Sequence, residues 1–379
     1  MEKKEIGVYI HVPFCRAKCS YCDFNSYPGK ENLAQQYFDA LKKEIALSAE
    51  ALKGLTIKSV FIGGGTPSLV KTEFIYEVLN ELDRFTSIDS KAEISIETNP
   101  GTLTYDKLYA YKSMGINRLS VGLQSADNEL LLKLGRIHSV EEFYNNYRLA
   151  LKAGFDNINI DLIFGIPGQT FENWTNTLNS VIQINPSHLS CYSLKIEEDT
   201  VFGKMLDAGD IKPIEDEKDR EMYHETIRIL GDSGYRHYEI SNFARDGYEC
   251  RHNLIYWNAE EYIGYGAGAH SYFMGIRYNN EYSVEKYIEK IYKDQNIREN
   301  ESYIDMNESM SEYMLLGLRL IDGVSLERFR ERFNQDIPDA FKDSINMLSK
   351  KGLLTSDWGI VKLTSKGLDL ANEVFMEFV

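Results

Sequence analysis

Three cysteines occupy one short stretch near the start of the chain: Cys15, Cys19 and Cys22, with the spacing C-x3-C-x2-C. The whole sequence of 379 residues contains only five cysteines, so this local density indicates a shared purpose. Three thiolates can hold three corners of a four-iron, four-sulfur (4Fe–4S) cluster, because cysteine thiolates are the usual ligands of such clusters. The fourth iron then lacks a protein ligand and stays open to a small molecule.

Other uses of the three thiols remain open at this point. A disulfide would leave one thiol unpaired, and the N-terminal sequence MEKKEIGVYIHV lacks the long apolar run of a signal peptide. A zinc site usually takes four ligands, and His11 is the only nearby candidate for the fourth. The spacing favours an iron–sulfur cluster over zinc and over unrelated thiols.

The composition restricts the kinds of partner. Basic residues number 42 against 58 acidic residues, a net charge of -16, which argues against nucleic acid. At 43% hydrophobic residues the chain can form a substantial core, and its length suits one large domain with a smaller one. No segment approaches the apolar length of a membrane span. Free thiols and a labile cluster fit a reducing, cytoplasmic setting.

The first half of the sequence alternates strand-like and helix-like patterns. The strand-like runs are residues 6–12, 59–63, 92–97, 118–123, 158–164 and 189–194, and the helical patterns are residues 33–52, 72–85, 105–114, 141–153 and 171–184. This order predicts an α/β fold with a parallel sheet and right-handed crossovers. Six units are too few for an eight-fold barrel, so we expect a partial (β/α)6 barrel that is open on one side.

The unusual polar and glycine-rich features follow the predicted strands. The cysteines come after the first strand and Gly63 to Pro67 after the second; Glu97 ends the third, Gln124 follows the fourth, and Asp161 lies in the fifth. Functional groups of such barrels gather at the C-terminal ends of the strands. The sequence therefore predicts a single functional site at the C-terminal ends of the strands, which we call the mouth of the barrel.

Beyond residue 194 the pattern changes. We expect a helix at 217–233, a strand at YRHYEIS, an aromatic and glycine-rich stretch at 248–278, and a polar linker at 294–302. Three helices and the hairpin GLLTSDWGIVKLT then predict a winged-helix-like module. DNA binding is disfavoured because residues 307–379 hold nine basic and twelve acidic side chains. The expected division is 1–235, 236–298 and 299–379: the core, an extension of the barrel, and the C-terminal module.

Several motifs resemble those of radical S-adenosylmethionine (SAM) enzymes: YIHVPFCRAKCSYCDF, GGGTPS, SIETNP, RLSVGLQS, LGRIH and IDLIFGIPGQT. Within that superfamily the whole chain resembles the oxygen-independent coproporphyrinogen III oxidase group, and more closely its haem chaperone branch. The resemblance implies that the amino and carboxylate groups of SAM bind the open iron. An electron donor can then trigger cleavage of SAM to a 5′-deoxyadenosyl radical.

The resemblance also implies a SAM site at the mouth. Its residues would be Tyr9, Gly64, Gly65, Thr66, Glu97, Gln124, Arg136 and Asp161. Glycines allow close backbone approach, Glu97 can accept hydrogen bonds from an ammonium or ribose, and Arg136 suits a carboxylate. Taken singly, each polar residue is more often a solvated or ion-paired side chain.

Two features separate the branches of this group. Members with oxidase activity have a fourth cysteine two positions after the third, where this chain has Phe24, as the chaperone branch does. The haem-binding signature H-N-x-x-Y-W of the chaperone branch is present as His252, Asn253, Tyr256 and Trp257.

The signature implies a haem site. The resemblance makes His252 an axial ligand of haem iron, with Tyr256 and Trp257 against the porphyrin and Asn253 orienting the imidazole. Cys250 is an alternative thiolate ligand, although a buried core role is favoured for it and for Cys191. We read YGAGAH, residues 265–270, as a close-packed loop.

We therefore expect a cytoplasmic haem chaperone that holds a 4Fe–4S cluster, SAM and haem. It would pass haem to an acceptor apoprotein, which the family implies to be a membrane-associated respiratory protein. An electron donor is needed if SAM is cleaved. The alternative is an enzyme that oxidatively decarboxylates coproporphyrinogen III to protoporphyrinogen IX. A third interpretation is a winged-helix regulator that senses the cluster. No catalytic residue is assigned.

Overall fold

A 12-stranded sheet forms the centre of the computed structural model, which describes residues 4–379. Six strands run parallel in chain order: β1 (Lys4–Val12), β2 (Leu55–Gly64), β3 (Ser87–Thr98), β4 (Arg118–Gln124), β5 (Asn157–Phe164) and β6 (His188–Ser193). Each pairs in parallel with the next. All seven residues of β4 are buried, as expected for a parallel strand covered on both faces. The predicted α/β partial barrel is confirmed.

Helices cover the outside of these strands. The main ones are Ala34–Leu47, Thr72–Phe85, Tyr105–Ser113, Val140–Lys152 and Phe171–Ile182, with short helices at Ala49–Leu52 and Asn128–Lys133. Ser139 and Thr170 begin two of them with capping boxes. The pattern over 33–52 predicted one helix, but it breaks at Ser48, whose hydroxyl bonds the carbonyl of Ile45 and the Tyr265 hydroxyl.

The second half of the chain extends the sheet at both ends. After the helices Val201–Asp207 and Asp216–Asp232, β8 (Asn242–Ala244) pairs antiparallel with β6, and β7 (Arg236–Glu239) pairs antiparallel with β8 at the end of the sheet. The helix Arg251–Trp257 follows, and β9 (Tyr262–Tyr265) pairs in parallel with β1. Next come β10 (His270–Phe273), β11 (Ile276–Asn280), the helix Val284–Tyr292 and β12 (Arg298–Tyr303). Each of these three strands pairs antiparallel with the strand before it. The strand order is therefore β12-β11-β10-β9-β1-β2-β3-β4-β5-β6-β8-β7.

The predicted linker at 294–302 is wrong. Most of that stretch belongs to β12, which pairs with β11 at the outer end of the sheet. Five of its six side chains are exposed, so the sequence lacks the apolar alternation that marks a strand. Charged residues of this kind are common on edge strands, because they discourage pairing with other chains.

The C-terminal part has its own hydrophobic cluster, which includes Met314, Phe329, Leu348 and Val361. It contains the helices Met306–Gly317, Leu326–Phe333, Ile337–Ala340, Lys342–Lys350, Ser365–Asp369 and Ala371–Phe375, and a small sheet of β13 (Val324–Ser325), β14 (Leu354–Asp357) and β15 (Ile360–Leu363). Trp358 and Gly359 form the hairpin turn, both with positive φ. Within residues 4–379 we find no helix of the length and apolarity needed to cross a bilayer.

Candidate cluster and cofactor site

A cavity of about 360 Å³ lies at the C-terminal ends of the parallel strands. Its walls contain all three loop cysteines and every predicted SAM residue except Tyr9: Cys15, Cys19, Cys22, Gly64, Gly65, Thr66, Glu97, Gln124, Arg136 and Asp161. Residues far apart in the sequence thus meet at one mouth, as the barrel topology predicts. Tyr9 lines a second, adjoining cavity instead.

The cysteine loop is held at both of its ends. Phe14–Cys15 pairs with Tyr27–Pro28, which closes the loop at its base. The Ser20 amide donates to the Leu134 carbonyl at 2.9 Å, and Arg136 lies 3.5 Å from the Cys19 sulfur. Burial raises the pKa of Cys15 and of Cys22, so both are thiols at neutral pH until a metal binds them. The arrangement fits a cluster whose thiolates are stabilised by iron and by one fixed cation.

The zinc interpretation lacks its fourth ligand. The Nε2 atom of His11 donates to the Asn25 carbonyl at 2.8 Å, and its Nδ1 atom accepts from the Tyr9 hydroxyl at 3.0 Å. Both ring nitrogens are therefore engaged away from the sulfurs. In the described range 4–379, no three Cys, His, Asp or Glu side chains converge on a single ion. A 4Fe–4S cluster needs no such convergence, since each cysteine binds a different iron.

The glycine-rich turn after β2 packs directly on the start of the cysteine loop. A Cβ atom at Gly65 would lie 2.6 Å from the Phe14 carbonyl oxygen, and Gly64 has φ +116°. The Gly65 amide donates to the Val12 carbonyl at 2.9 Å, and the Thr66 amide to the Phe14 carbonyl at 2.7 Å. Only glycine permits this approach. The turn and the cluster loop therefore form one unit.

Two carboxyl groups face the cavity. The Gly64 amide donates to Glu97 at 2.9 Å, while Ser120 and Asn159 each donate to Asp161 at 2.9 Å. Desolvation, and then the charge of Asp161, raise the pKa of Glu97 to about 8. Desolvation also raises the pKa of Asp161. A cationic ligand group would relieve this repulsion, which suits the sulfonium of SAM.

Arg136 is held rigidly in the wall. Its Nη2 atom donates to the Asn99 side chain at 2.6 Å and to the Gly122 carbonyl at 2.7 Å, and its Nε atom is buried without a hydrogen-bond partner among residues 4–379. Arg136 lines the cavity, and a fixed cation at that place fits a ligand carboxylate. The sequence reading missed Asn99, although it stands in the motif SIETNP.

Gln124 has φ +71°, which is uncommon for a residue other than glycine. It lies where the pairing of β4 with β5 shifts register, and its side chain lines the cavity. Backbone strain of this kind concentrates at functional sites.

The second cavity has a volume of about 610 Å³ and shares Phe24, Gly64 and Glu97 with the first. Aromatic and polar side chains line it, including Tyr9, His11, Tyr256, Trp257, Tyr262, His270, Tyr272, Arg277 and Tyr282. We term it the aromatic cavity. Four of these residues were not among the predicted site residues: Tyr262, His270, Tyr272 and Arg277. The sequence signal that could have pointed to them is the aromatic and glycine-rich composition of residues 248–278.

The signature helix Arg251–Trp257 brings Tyr256 and Trp257 to the aromatic cavity, but His252 and Asn253 do not line it. His252 is 1% exposed. Its Nδ1 atom is 2.9 Å from the Ser59 hydroxyl and its Nε2 atom 2.8 Å from the Tyr256 hydroxyl. Burial, and then the charge of Arg118, lower the pKa of His252 to about 3, so the imidazole is neutral.

Cys250 is not available as an alternative ligand. It is fully buried and its sulfur lies 3.5 Å from the Glu93 carboxylate, which also accepts from the amides of Arg251 and His252. Burial raises the pKa of Cys250 to about 12. The core role is confirmed for Cys250 and for Cys191, which is 2% exposed.

Comparisons with known proteins agree with this geometry. A sequence model of the radical SAM superfamily matches residues 9–181, and one of the HemN C-terminal domain matches residues 304–370. The solved structure of coproporphyrinogen III oxidase (HemN) from Escherichia coli superposes with a TM-score of 0.87 at 25% identity, covering 100% of this chain and 90% of that one. Fold and site thus define a radical SAM protein of the HemN type.

Closer relatives are heme chaperones named HemW. The Bacillus subtilis protein is 37% identical over 374 residues, covering 98% of this chain and 99% of the relative. The Lactococcus lactis protein is 34% identical over 379 residues, covering 100% of this chain and 98% of the relative. The chain belongs to the HemW family.

Proposed function

We propose that the protein is a haem chaperone, which binds haem beside a 4Fe–4S cluster with SAM and passes the haem to an acceptor protein. The observation that carries this proposal is the pair of adjoining cavities. One contains the three cysteines, the other is walled by aromatic rings, and Phe24, Gly64 and Glu97 belong to both. The names of the HemW relatives support haem as the cargo.

The cysteine cavity suits the cofactor pair. Cys15, Cys19 and Cys22 would hold the cluster, which supplies an open iron for the amino and carboxylate groups of SAM when bound. Glu97 would accept hydrogen bonds from the N–H groups of that amino group or from the ribose, and Arg136 would donate to the carboxylate. Gly64, Gly65 and Thr66 would present backbone groups to the methionine end, while Gln124 and Asp161 add polar contacts.

The aromatic cavity suits a flat, largely apolar ligand. Tyr256 and Trp257 offer ring surface, and Arg277 stands at the same wall as a cation for a propionate. The guanidinium of Arg277 is held by Glu312, at 2.9 Å through Nη2.

The oxidase alternative is less well supported. Phe24, at the position of the fourth cysteine, is 62% exposed at the boundary of the two cavities. It supplies a hydrophobic face there and no thiol.

The remaining parts of the proposal follow from the same interpretation. We place the protein in the cytoplasm, where thiols stay reduced. The acceptor is a haem-free apoprotein, including membrane-associated respiratory proteins, and an electron donor acts if SAM is cleaved. The functional division is 1–235 for the cluster and SAM, 236–298 for haem, and 299–379 for the C-terminal module.

Haem titration tests the proposal. Anaerobically reconstituted protein should bind one haem per chain with a saturable Soret band, and should lose it to a haem-free apoprotein of distinct spectrum. Trp257→Ala should weaken haem binding about tenfold to a hundredfold, because an aromatic wall is lost. Trp358→Ala is the matched control, since Trp358 is fully exposed in the hairpin turn. Equal affinities for both variants would contradict the assignment of the cavity.

The pH dependence of SAM binding tests the role of Glu97. Because its pKa without ligand is about 8, Glu97 must lose a proton at lower pH before its carboxylate can accept hydrogen bonds from the SAM amino group. SAM affinity should therefore rise between pH 6 and 8, by up to about tenfold per pH unit, and level off above. The SAM amino group titrates in the same range, so Glu97→Gln is the control. Calorimetric titration should give a shallower profile for the variant; parallel profiles would show that Glu97 does not contact the SAM amino group.

A further inference from the structure

The three histidines near the aromatic cavity differ in the state of their ring nitrogens. Both nitrogens of His11 are engaged, by Tyr9 and Asn25. Both nitrogens of His252 are engaged as well, and this side chain is buried outside the cavity wall. His270 lines the cavity, is exposed, and bonds only through Nε2, which lies 3.1 Å from the Tyr282 hydroxyl. Its Nδ1 atom has no hydrogen-bond partner in the part of the chain that the structure describes.

The position of His270 is fixed by its backbone. It begins β10 directly after the YGAGAH turn, where a Cβ atom at Gly264 would collide with the His270 carbonyl oxygen. The Asn280 amide donates to the Ala269 carbonyl at 2.9 Å and ties the turn to β11. The turn is therefore close-packed, as the sequence predicted, and it presents the imidazole from a rigid base.

The same sheet face carries complementary groups. His270 and Tyr272 are two residues apart on β10, so their side chains share one face. Arg277 on β11 pairs directly with Tyr272, and its guanidinium lies 5.3 Å from the ring centre. An imidazole, an aromatic ring and a cation thus line one wall, which matches the iron, the macrocycle and the propionates of haem.

We propose that His270 is the side chain that ligates haem iron in the aromatic cavity, and that His252 is a positioning residue that holds Tyr256 through its hydroxyl. This inference rests on the proposed haem binding. To reach an iron in the cavity, the His252 side chain would have to break its hydrogen bonds with Ser59 on β2 and with Tyr256. The hydroxyl groups of Ser59 and Tyr256 would then lose their partner. His270 needs no such rearrangement, because it already lines the cavity and its Nδ1 atom has no partner to give up among residues 4–379.

The test is a titration with ferric haem, read by the Soret and visible bands and by electron paramagnetic resonance. His270→Ala should lose the signature of imidazole ligation and bind haem at least about tenfold more weakly. Free imidazole should restore the signature in that variant. His224→Ala, at a half-buried histidine on the helix Asp216–Asp232 that lines neither cavity, should match the unmodified protein.

Ser59→Ala separates the two histidines at a residue that lines neither cavity. It removes the hydroxyl that engages Nδ1 of His252, so the haem spectrum should stay unchanged if His270 is the ligand. A spectrum of stronger imidazole ligation in Ser59→Ala, or an unchanged spectrum in His270→Ala, would overturn the inference. Failure of the unmodified protein to bind haem at all would instead refute the proposed function, and this inference with it.

Discussion

Replacing Cys19 with serine is expected to abolish the 4Fe–4S cluster. The loop offers three thiols within the cavity, and Cys19 is the one that Arg136 contacts. Serine does not supply a thiolate, and two cysteines cannot hold a cluster that already leaves one iron without a protein ligand. After anaerobic reconstitution, the variant should lack the visible absorbance of the cluster and should contain little iron or acid-labile sulfide.

Cys191→Ala provides the control for this experiment. Cys191 lies in β6 and is 2% exposed, but it does not line the cysteine cavity. The variant should therefore keep the cluster, even if some stability is lost. Undiminished iron and absorbance in Cys19→Ser would show that the ligands are different ones, and stoichiometric zinc in the unmodified protein would contradict the cluster itself.

Gly65→Ala should impair both cluster assembly and SAM binding. The new methyl group would lie 2.6 Å from the Phe14 carbonyl oxygen, one residue before Cys15, and backbone atoms cannot rotate away. Overpacking of this kind costs about 1–3 kcal/mol. We expect a lower melting temperature, a reduced yield of cluster, and SAM binding weakened at least about tenfold. Thermal unfolding and a SAM titration measure these effects.

Gly231→Ala is the matched substitution. Gly231 lies within the helix Asp216–Asp232, and a Cβ atom there meets nothing within 4 Å. Alanine should stabilise the helix by about 0.5–1 kcal/mol and leave SAM binding unchanged. If Gly65→Ala behaves like Gly231→Ala, the turn does not hold the cluster loop in place.

The barrel and its mouth were predictable from the sequence because local patterns determine them. Strands buried on both faces form continuous apolar runs, and the helix Thr72–Phe85 was predicted to the residue from its periodicity. The order of the strands follows from short right-handed crossovers. Once the order is known, Glu97 and Asp161 must lie near the cysteines.

Other features depend on contacts between distant segments. The pairing of β9 with β1 joins residues about 250 positions apart, and no local pattern signals it. Asn99 holds Arg136 through a side-chain bond that only the folded barrel creates. Likewise, the signature places His252 next to Tyr256 on one helix, but only the packing against Ser59 shows that both ring nitrogens are engaged.

The most direct test of the account is whether the protein transforms a porphyrinogen. Anaerobic protein with intact cluster, reductant and SAM is incubated with coproporphyrinogen III, with the Escherichia coli oxidase as a positive control, and the tetrapyrroles are identified by mass spectrometry. A haem chaperone should leave coproporphyrinogen III unchanged while the control decarboxylates it. Accumulation of protoporphyrinogen IX with this protein would contradict the proposed function.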